Sequence, residues 1–256
     1  MKKLSQWATA IFTIYVLILF VAYLLIIFPF VILATLFGKI KGGNIIYYLC
    51  QSWADIIMPL AFIFHKNIFE VPHQTNKQYV FVFNHISFLD IPCLMKAIRK
   101  QHFRILGRAD LAKIPIFGFL YKNAVVSVDR LNADKRKQSI EILKEVIAKG
   151  ISVVIAPEGT FNTTHHPLKH FYNGAFKVAI ETQTPIKPIL FLDNYDRLSY
   201  KHFFSLKPGK TRCIYLDEIS VQNYTINQVE ELKQKVFTLM EQKLIAYNAS
   251  WIKAFS

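Results

Sequence analysis

The chain has 256 residues, 53% of them hydrophobic, and 31 basic against 17 acidic side chains give it a formal net charge of +14. That length buries one substantial core and leaves apolar surface for something other than water, while the charge calls for an anionic partner: nucleic acid, lipid headgroups or an acidic carrier protein. Three cysteines, Cys50, Cys93 and Cys213, odd in number and far apart, exclude a disulfide framework and a CxxC metal pair, and fit a reducing cytosolic face.

Residues 1–38 carry only Lys2 and Lys3 as charges, so the basic excess belongs to the remainder, with 29 basic against 17 acidic residues. No charge falls between Lys3 and Lys39, a stretch well beyond the ~20 apolar residues that cross a bilayer as a helix. A signal peptide has a shorter apolar core with a small-residue cleavage site soon after it, so this segment is expected to be retained. Pro29 is expected to bend or interrupt the helix, and Gly38 to Gly43 read as a polar turn. A second apolar stretch, about Ile45 to Phe64, is either a second embedded helix or, since it holds Asp55, a helix packed on the soluble domain. Basic residues on both flanks leave the orientation open.

Residues 1–66 are therefore expected to form an N-terminal membrane-embedded helical region. From residue 67 to 256, short β-branched or aromatic runs alternate with helical ones, the pattern of one α/β domain. Strands are predicted at Tyr79 to Phe83, Phe103 to Leu106, Ala124 to Val128, Ile151 to Ala156, Ile186 to Leu192 and Arg212 to Leu216. A helix is predicted over Ala133 to Lys149, where Ile140, Leu143, Val146 and Ile147 share a face and Gly150 stops it. Another begins at Thr225, which forms a capping box with Gln228 ahead of Val229, Leu232, Val236 and Leu239.

Ligands of open α/β sheets gather beyond the carboxyl ends of strands, which directs attention to the residues after Phe83 and after Ala156. The first segment reads Asn84-His85-Ile86-Ser87-Phe88-Leu89-Asp90-Ile91-Pro92, the second Pro157-Glu158-Gly159-Thr160-Phe161-Asn162. His85 and Asp90 would lie on different faces of a continuous helix, because five residues turn it about 140° past one full turn. If the strand ends at His85 and a helix starts near Asp90, with Pro92 in its first turn, the loop folds the imidazole back onto the carboxylate. The positive end of that helix suits a carboxylate, which would hold one ring N–H while the other nitrogen accepts a proton. Such a base needs only to take the proton of an attacking alcohol when the acyl donor is an activated thioester, an assistance of about 10²–10⁴ in rate. Taken alone, a histidine at a strand end and an aspartate at a helix start are more often simple caps.

Four blocks in order weigh against that plainer reading. The chain resembles the glycerolipid acyltransferases typified by 1-acylglycerol-3-phosphate acyltransferase. Asn84, His85 and Asp90 match their Asn-His-x4-Asp signature; Arg108, Asp110, Ile114, Pro115 and Gly118, closing on Val128-Asp129-Arg130, match the second block; Pro157 to Thr160 match the third; Pro185, Ile186 and Pro188 match the fourth. The resemblance covers about residues 80 to 190. It implies a single mixed-sheet acyltransferase domain with flanking helices, His85 as base and Asp90 as its orienting partner. It also implies a glycerol phosphate site drawn from Asn84, Arg108, Arg130, Glu158, Gly159, Thr160 and Lys177, with Glu158 binding a glycerol hydroxyl or fixing a basic neighbour.

The reaction so implied moves a fatty acyl group from acyl carrier protein or coenzyme A to a lysophospholipid hydroxyl, with no cofactor, no metal and no nucleic acid partner. Membrane lipids are the setting, in a bacterial inner membrane with the catalytic domain on the cytoplasmic side. Two departures stand out. Phe161 occupies the place where the family commonly has arginine, so either Arg108, Arg130, Lys169 or Lys177 replaces that contact or the acceptor carries another headgroup, as in a lyso-aminolipid. Arg108 stands where lysine is usual and keeps the charge.

Other features carry less. His165, His166 and His170 suggest a metal site, but Pro167 spoils the helix that would pair them, leaving polar loop residues. Cys93 reads as packing within an apolar helix, and Lys135-Arg136-Lys137 as a solvated face. A non-catalytic module binding anionic lipid or nucleic acid has no use for a His–Asp pair, and a serine hydrolase would need the G-x-S-x-G elbow that the chain lacks.

Overall fold

The computed structural model describes residues 2–129 and 131–252. Helix α1 (Lys2–Thr35) leads through a two-residue turn into α2 (Gly38–Leu60), and β1 (Ile63–Phe69) follows directly. The remaining chain runs β2 (Val80–Phe83), α3 (Asp90–Ala97), β3 (Phe103–Arg108), α4 (Phe117–Ala124), β4 (Val126–Val128), α5 (Ala133–Ala148), β5 (Ser152–Ile155), α6 (Gly174–Glu181), β6 (Ile186–Phe191), α7 (Asn194–Arg197), β7 (Gly209–Tyr215) and α8 (Val229–Ala246). The seven strands form one sheet in the order β1-β7-β6-β2-β5-β3-β4, parallel throughout except for the antiparallel pair β6/β7.

Side chains of a strand alternate between faces, and in β2 the alternation divides the core. Val80 and Val82 face an aliphatic layer with Val153, Ile155 and Leu190, covered by Leu143 and Val146 of α5, Phe176 of α6 and Leu232 and Val236 of α8. Phe81 and Phe83 face the other way, among Tyr79, Phe103, Phe191 and Tyr215, under Tyr47 and Met58 of α2 and Leu94 of α3. Leu24, Ile27 and Val31 of α1 join this second layer.

The six expected strands are all present with ends shifted by a few residues. The helix expected over 133–149 runs Ala133–Ala148, with Asn132 Oδ1 accepting from Asp134 N and Lys135 N at 3.0 Å each, and Gly150 at φ 82° as its stop. The capping box of Thr225 and Gln228 heads a short 3-10 turn that continues into α8.

Three expectations are corrected. Of the bend or interruption expected at Pro29, the interruption is absent: α1 stays helical from Lys2 to Thr35, and in apolar surroundings a helix satisfies its backbone better than any broken form. Gly38 to Gly43 are not a turn but the first residues of α2. Gly42 and Gly43 serve close approach: a Cβ on Gly42 would stand 2.2 Å from the Ala34 carbonyl oxygen, and one on Gly43 would stand 2.5 Å from the Arg104 guanidinium. That buried guanidinium donates to the carbonyls of Ile40 and Phe103 and to Asn44 Oδ1, anchoring α2 on β3. Finally, Ile63–Phe69 forms an edge strand beside β7, so the sheet takes in residues 63–66, which the division at residue 66 placed with the helices.

The second apolar stretch packs on the α/β domain. Asp55 pairs with Lys96 at 2.6 Å and Arg99 at 2.5 Å beside α3, and Met58 and Ala54 are buried. Only α1 is long and apolar enough, over Gln6–Thr35, to cross a membrane among the described residues. Its outer face, including Trp7, Ile11, Ile18, Ile26 and Phe30, is exposed apolar surface of a size that water does not favour.

Candidate active site

Strands β6, β2 and β5 lie side by side and parallel, so their carboxyl ends open at one edge. Asn84 follows β2, and both ends of its amide are used by β6: Nδ2 donates to the Phe191 carbonyl at 3.0 Å and Oδ1 accepts from Phe191 N at 2.8 Å. The side chain mimics a strand backbone and is buried. Asn84, expected among the substrate ligands, locks the strand end from which His85 projects through these two bonds.

The loop after Asn84 turns the chain so that α3 starts at Asp90, as the spacing predicts. His85 Nδ1 and Asp90 Oδ2 lie 2.7 Å apart. The same oxygen accepts from Ile86 N at 2.8 Å and Ser87 N at 3.0 Å, while Oδ1 accepts from Asn194 Nδ2 at 2.9 Å. Asp90 is fully buried and its oxygens accept from three other N–H groups, so the tautomer that fits this site donates Nδ1–H to Oδ2 and leaves Nε2 as the acceptor. The imidazole is 20% exposed, and its Nε2 makes no hydrogen bond among the described residues.

The loop after β5 meets the imidazole from the other side. Glu158 is buried, and its oxygens accept from His85 N and from Lys169 N, each at 2.8 Å. Asn162 N returns a bond to the His85 carbonyl at 2.8 Å. Burial pushes the Glu158 carboxyl up to about 8, against the pull of the two N–H donors, and the neighbouring Asp90 adds to the rise. Through these two bonds Glu158 ties its own loop to the backbone of His85 and of Lys169. Gly159 sits at φ 71°, and a Cβ there would stand 2.9 Å from the Tyr172 ring, so only glycine fits both the turn and the contact. Thr160 Oγ1 accepts from Lys169 Nζ at 2.8 Å.

Phe161 lies against the base, its ring centroid 4.3 Å from that of His85 and 4.9 Å from that of Phe88. Phe203 continues this aromatic wall beyond Phe88, at 5.4 Å.

The remaining expected ligands are scattered. Arg108 ends β3, two strands from β2, and forms a bidentate pair with Asp110 at 3.0 and 2.7 Å. Lys177 lies in α6, outside the contacts that tie the two loops to His85. Arg130 lies outside the described residues. His165 holds the Trp251 carbonyl and Lys201, and among the described residues no group of His, Cys, Asp and Glu side chains is arranged for a metal. Cys93 is buried in α3 with Sγ 3.3 Å from Asn194 Oδ1.

Asn194, which sequence reasoning missed, follows the carboxyl end of β6. The rule that singled out the residues after Phe83 and Ala156 applies equally to those after Leu192.

A histidine oriented by a buried carboxylate, beside an apolar wall, equips an enzyme to activate the hydroxyl of an acceptor. The family model described as Acyltransferase matches residues 63–192, half of the chain, and the chain belongs to that family. The 1-acyl-sn-glycerol-3-phosphate acyltransferase of Haemophilus influenzae is 26% identical over 167 residues, 64% of this chain and 68% of that protein. The protein of the same name from Cocos nucifera is 27% identical over 168 residues, 64% of this chain but 53% of its own length. The crystal structure of the 1-acyl-sn-glycerophosphate (LPA) acyltransferase PlsC from Thermotoga maritima shares the fold, with a TM-score of 0.76 over 99% of this chain and 100% of that one at 18% identity. The shared fold thus includes the N-terminal helices.

Proposed function

We propose that this chain transfers a fatty acyl group from acyl carrier protein or coenzyme A to the sn-2 hydroxyl of 1-acylglycerol-3-phosphate, giving phosphatidic acid. The observation that carries the reading is the 2.7 Å contact between His85 Nδ1 and Asp90, which leaves Nε2 without a hydrogen bond among the described residues on a partly exposed ring. The acceptor O–H gives its proton to Nε2 as its oxygen attacks the thioester carbonyl. The tetrahedral intermediate then expels the thiolate, which takes that proton back, and Asp90 stabilises the imidazolium in between. The names of the relatives support the acceptor.

Helix α1 supports a membrane setting. Thr13 Oγ1 accepts from Leu206 N at 3.0 Å, and Phe20 and Phe28 touch Phe117 and Phe119 of α4 at 6.4 and 5.8 Å. The helix thus runs along the domain and does not stand away from it, and its outer face meets lipid beside the catalytic edge. Thiols left unpaired and donors made in the cytosol favour the cytoplasmic side of an inner membrane.

One observation favours a second reading. Phe161 fills the space beside His85 with a ring that carries no charge, which suits a lysolipid without a phosphate monoester, such as a lyso-aminolipid. Protein purified in detergent is expected to release thiol from acyl-CoA or acyl carrier protein only with a lysolipid present, and His85→Ala is expected to abolish this. A panel of lysolipids, with product masses, chooses the headgroup; undiminished turnover by the variant removes the base from the mechanism.

A further inference from the structure

A phosphate monoester carries about −1.5 to −2 charges near neutral pH, and a site that seats one needs a cation within reach of the reacting hydroxyl. In glycerol 3-phosphate only a few bonds separate the 2-hydroxyl from phosphorus, so the cation must lie close to His85. Arg108 does not meet this requirement. It is two inter-strand spacings from β2, ~10 Å, and its guanidinium is engaged in both directions by Asp110. Lys201 points its ammonium at His165 Nε2, 3.3 Å away.

Lys169 is differently placed. Its backbone N and that of His85 hang on the two oxygens of one carboxylate, Glu158, which keeps the two nitrogens within about 8 Å of each other. Its ammonium lies 2.8 Å from Thr160 Oγ1, and Thr160 adjoins Phe161, whose ring touches the imidazole. The ammonium bonds to that neutral hydroxyl and forms no ion pair with a carboxylate among the described residues. Thr160 accepts from the ammonium and keeps its own hydroxyl proton to donate. A cation and a hydroxyl donor are therefore held together on the loop that is stitched to the base.

Resting on the acceptor proposed above, we infer that Lys169, with Thr160, binds the phosphate of the acceptor and thereby sets the distance from its sn-2 hydroxyl to His85 Nε2. Glu158 becomes the part that couples the two: it fixes base and anion site as one unit, so the acceptor is positioned by the loop after β5 and deprotonated by the loop after β2.

The test is steady-state kinetics of the full chain in detergent with 1-acylglycerol-3-phosphate and with a phosphate-free monoacylglycerol. Lys169→Met is expected to raise KM for the phosphate acceptor about tenfold or more, to lower kcat with it as the hydroxyl loses its placement, and to leave KM and kcat for monoacylglycerol in place. Lys169→Arg should restore most of the loss. Competitive inhibition of the wild type by sn-glycerol 3-phosphate should weaken in parallel in Lys169→Met and Thr160→Val. Unchanged KM and inhibition in both variants, with a wild type that acylates 1-acylglycerol-3-phosphate, overturns the assignment of Lys169. A wild type that acylates only other lysolipids overturns the acceptor reading and this inference with it, and shows so before any variant is made. If Lys169→Met fails to fold, turnover of both acceptors is lost together, and the same KM and inhibition measurements on Thr160→Val and Lys169→Arg decide the matter.

Discussion

The loops after β2 and β5 each bring a buried carboxylate to His85, and the two are satisfied to different degrees. Asp90 accepts four hydrogen bonds, from the imidazole, two backbone N–H groups and the Asn194 amide. Glu158 accepts two, both from backbone. The Asp90 loop is closed on itself and touches the reacting ring; the Glu158 loop is closed on its neighbour and touches only the backbone that carries the ring. On the proposed mechanism Asp90 serves the chemistry and Glu158 the architecture, and equal burial does not distinguish them.

The largest expected effect tests the first half of that contrast. In Asp90→Asn the amide oxygen can still accept from the imidazole and the two N–H groups, and the Asn194 amide can turn to meet the new NH2. Geometry then survives while the charge that supports the imidazolium is gone. A fall in kcat of about 10²–10⁴ with KM nearly unchanged is expected in acyl-transfer kinetics. A change confined to KM would mean that Asp90 acts on the acceptor and would erase the distinction.

The second half predicts an effect on pH and stability. Glu158 is pushed up to about 8 from an ordinary 4.5, so between these values the folded protein holds a proton that the unfolded chain lacks. Stability from this group is fully present below the lower value and is lost as pH rises through the higher one, an effect on the order of a few kcal/mol. In Glu158→Gln the oxygen keeps one N–H, but the new NH2 faces the other donor, which costs about 1–3 kcal/mol. Wild-type Tm in detergent should therefore decline from about pH 5 to about pH 9 more steeply than that of the glutamine variant, which starts lower. Equal slopes would show that the carboxyl does not titrate in this window.

How legible all this was in the sequence follows the range of the interactions. The His85–Asp90 pair spans five residues and is fixed by where a strand ends and a helix begins, both of which leave marks in local sequence. The roles of Asn84 and Glu158 depend on partners 107 and 11 residues away, on Phe191 and Lys169. No local pattern tells a side chain that binds substrate from one that imitates backbone. The glycines at 42 and 43 misled for the same reason: they looked like turn residues, whereas a carbonyl of α1 and the guanidinium of Arg104 explain them. Strand β1 hid because an edge strand with Phe64, Lys66 and Phe69 outward lacks a clean apolar alternation. Phe161 stands out as a departure in the sequence, but its tilted contact with the imidazole required the fold.

The smallest effect expected concerns Cys93, three residues after Asp90 and the one thiol near the base. A nucleophilic role would require an accessible sulfur and a stabilised thiolate. Burial instead pushes this thiol up, and the aspartate beside it adds to the rise, while Sγ donates to Asn194 Oδ1. Cys93 is thereby the outermost link of the chain that runs through Asn194 and Asp90 to the imidazole, tied to it by a weak bond. Cys93→Ala is expected to keep kcat within about threefold and to lose about 1 kcal/mol of stability, and a thiol-alkylating reagent should leave native wild-type turnover intact. Loss of turnover in Cys93→Ala as complete as in His85→Ala, with the fold intact by circular dichroism, would place a covalent thioester on the enzyme and make both carboxylates supports for a nucleophile.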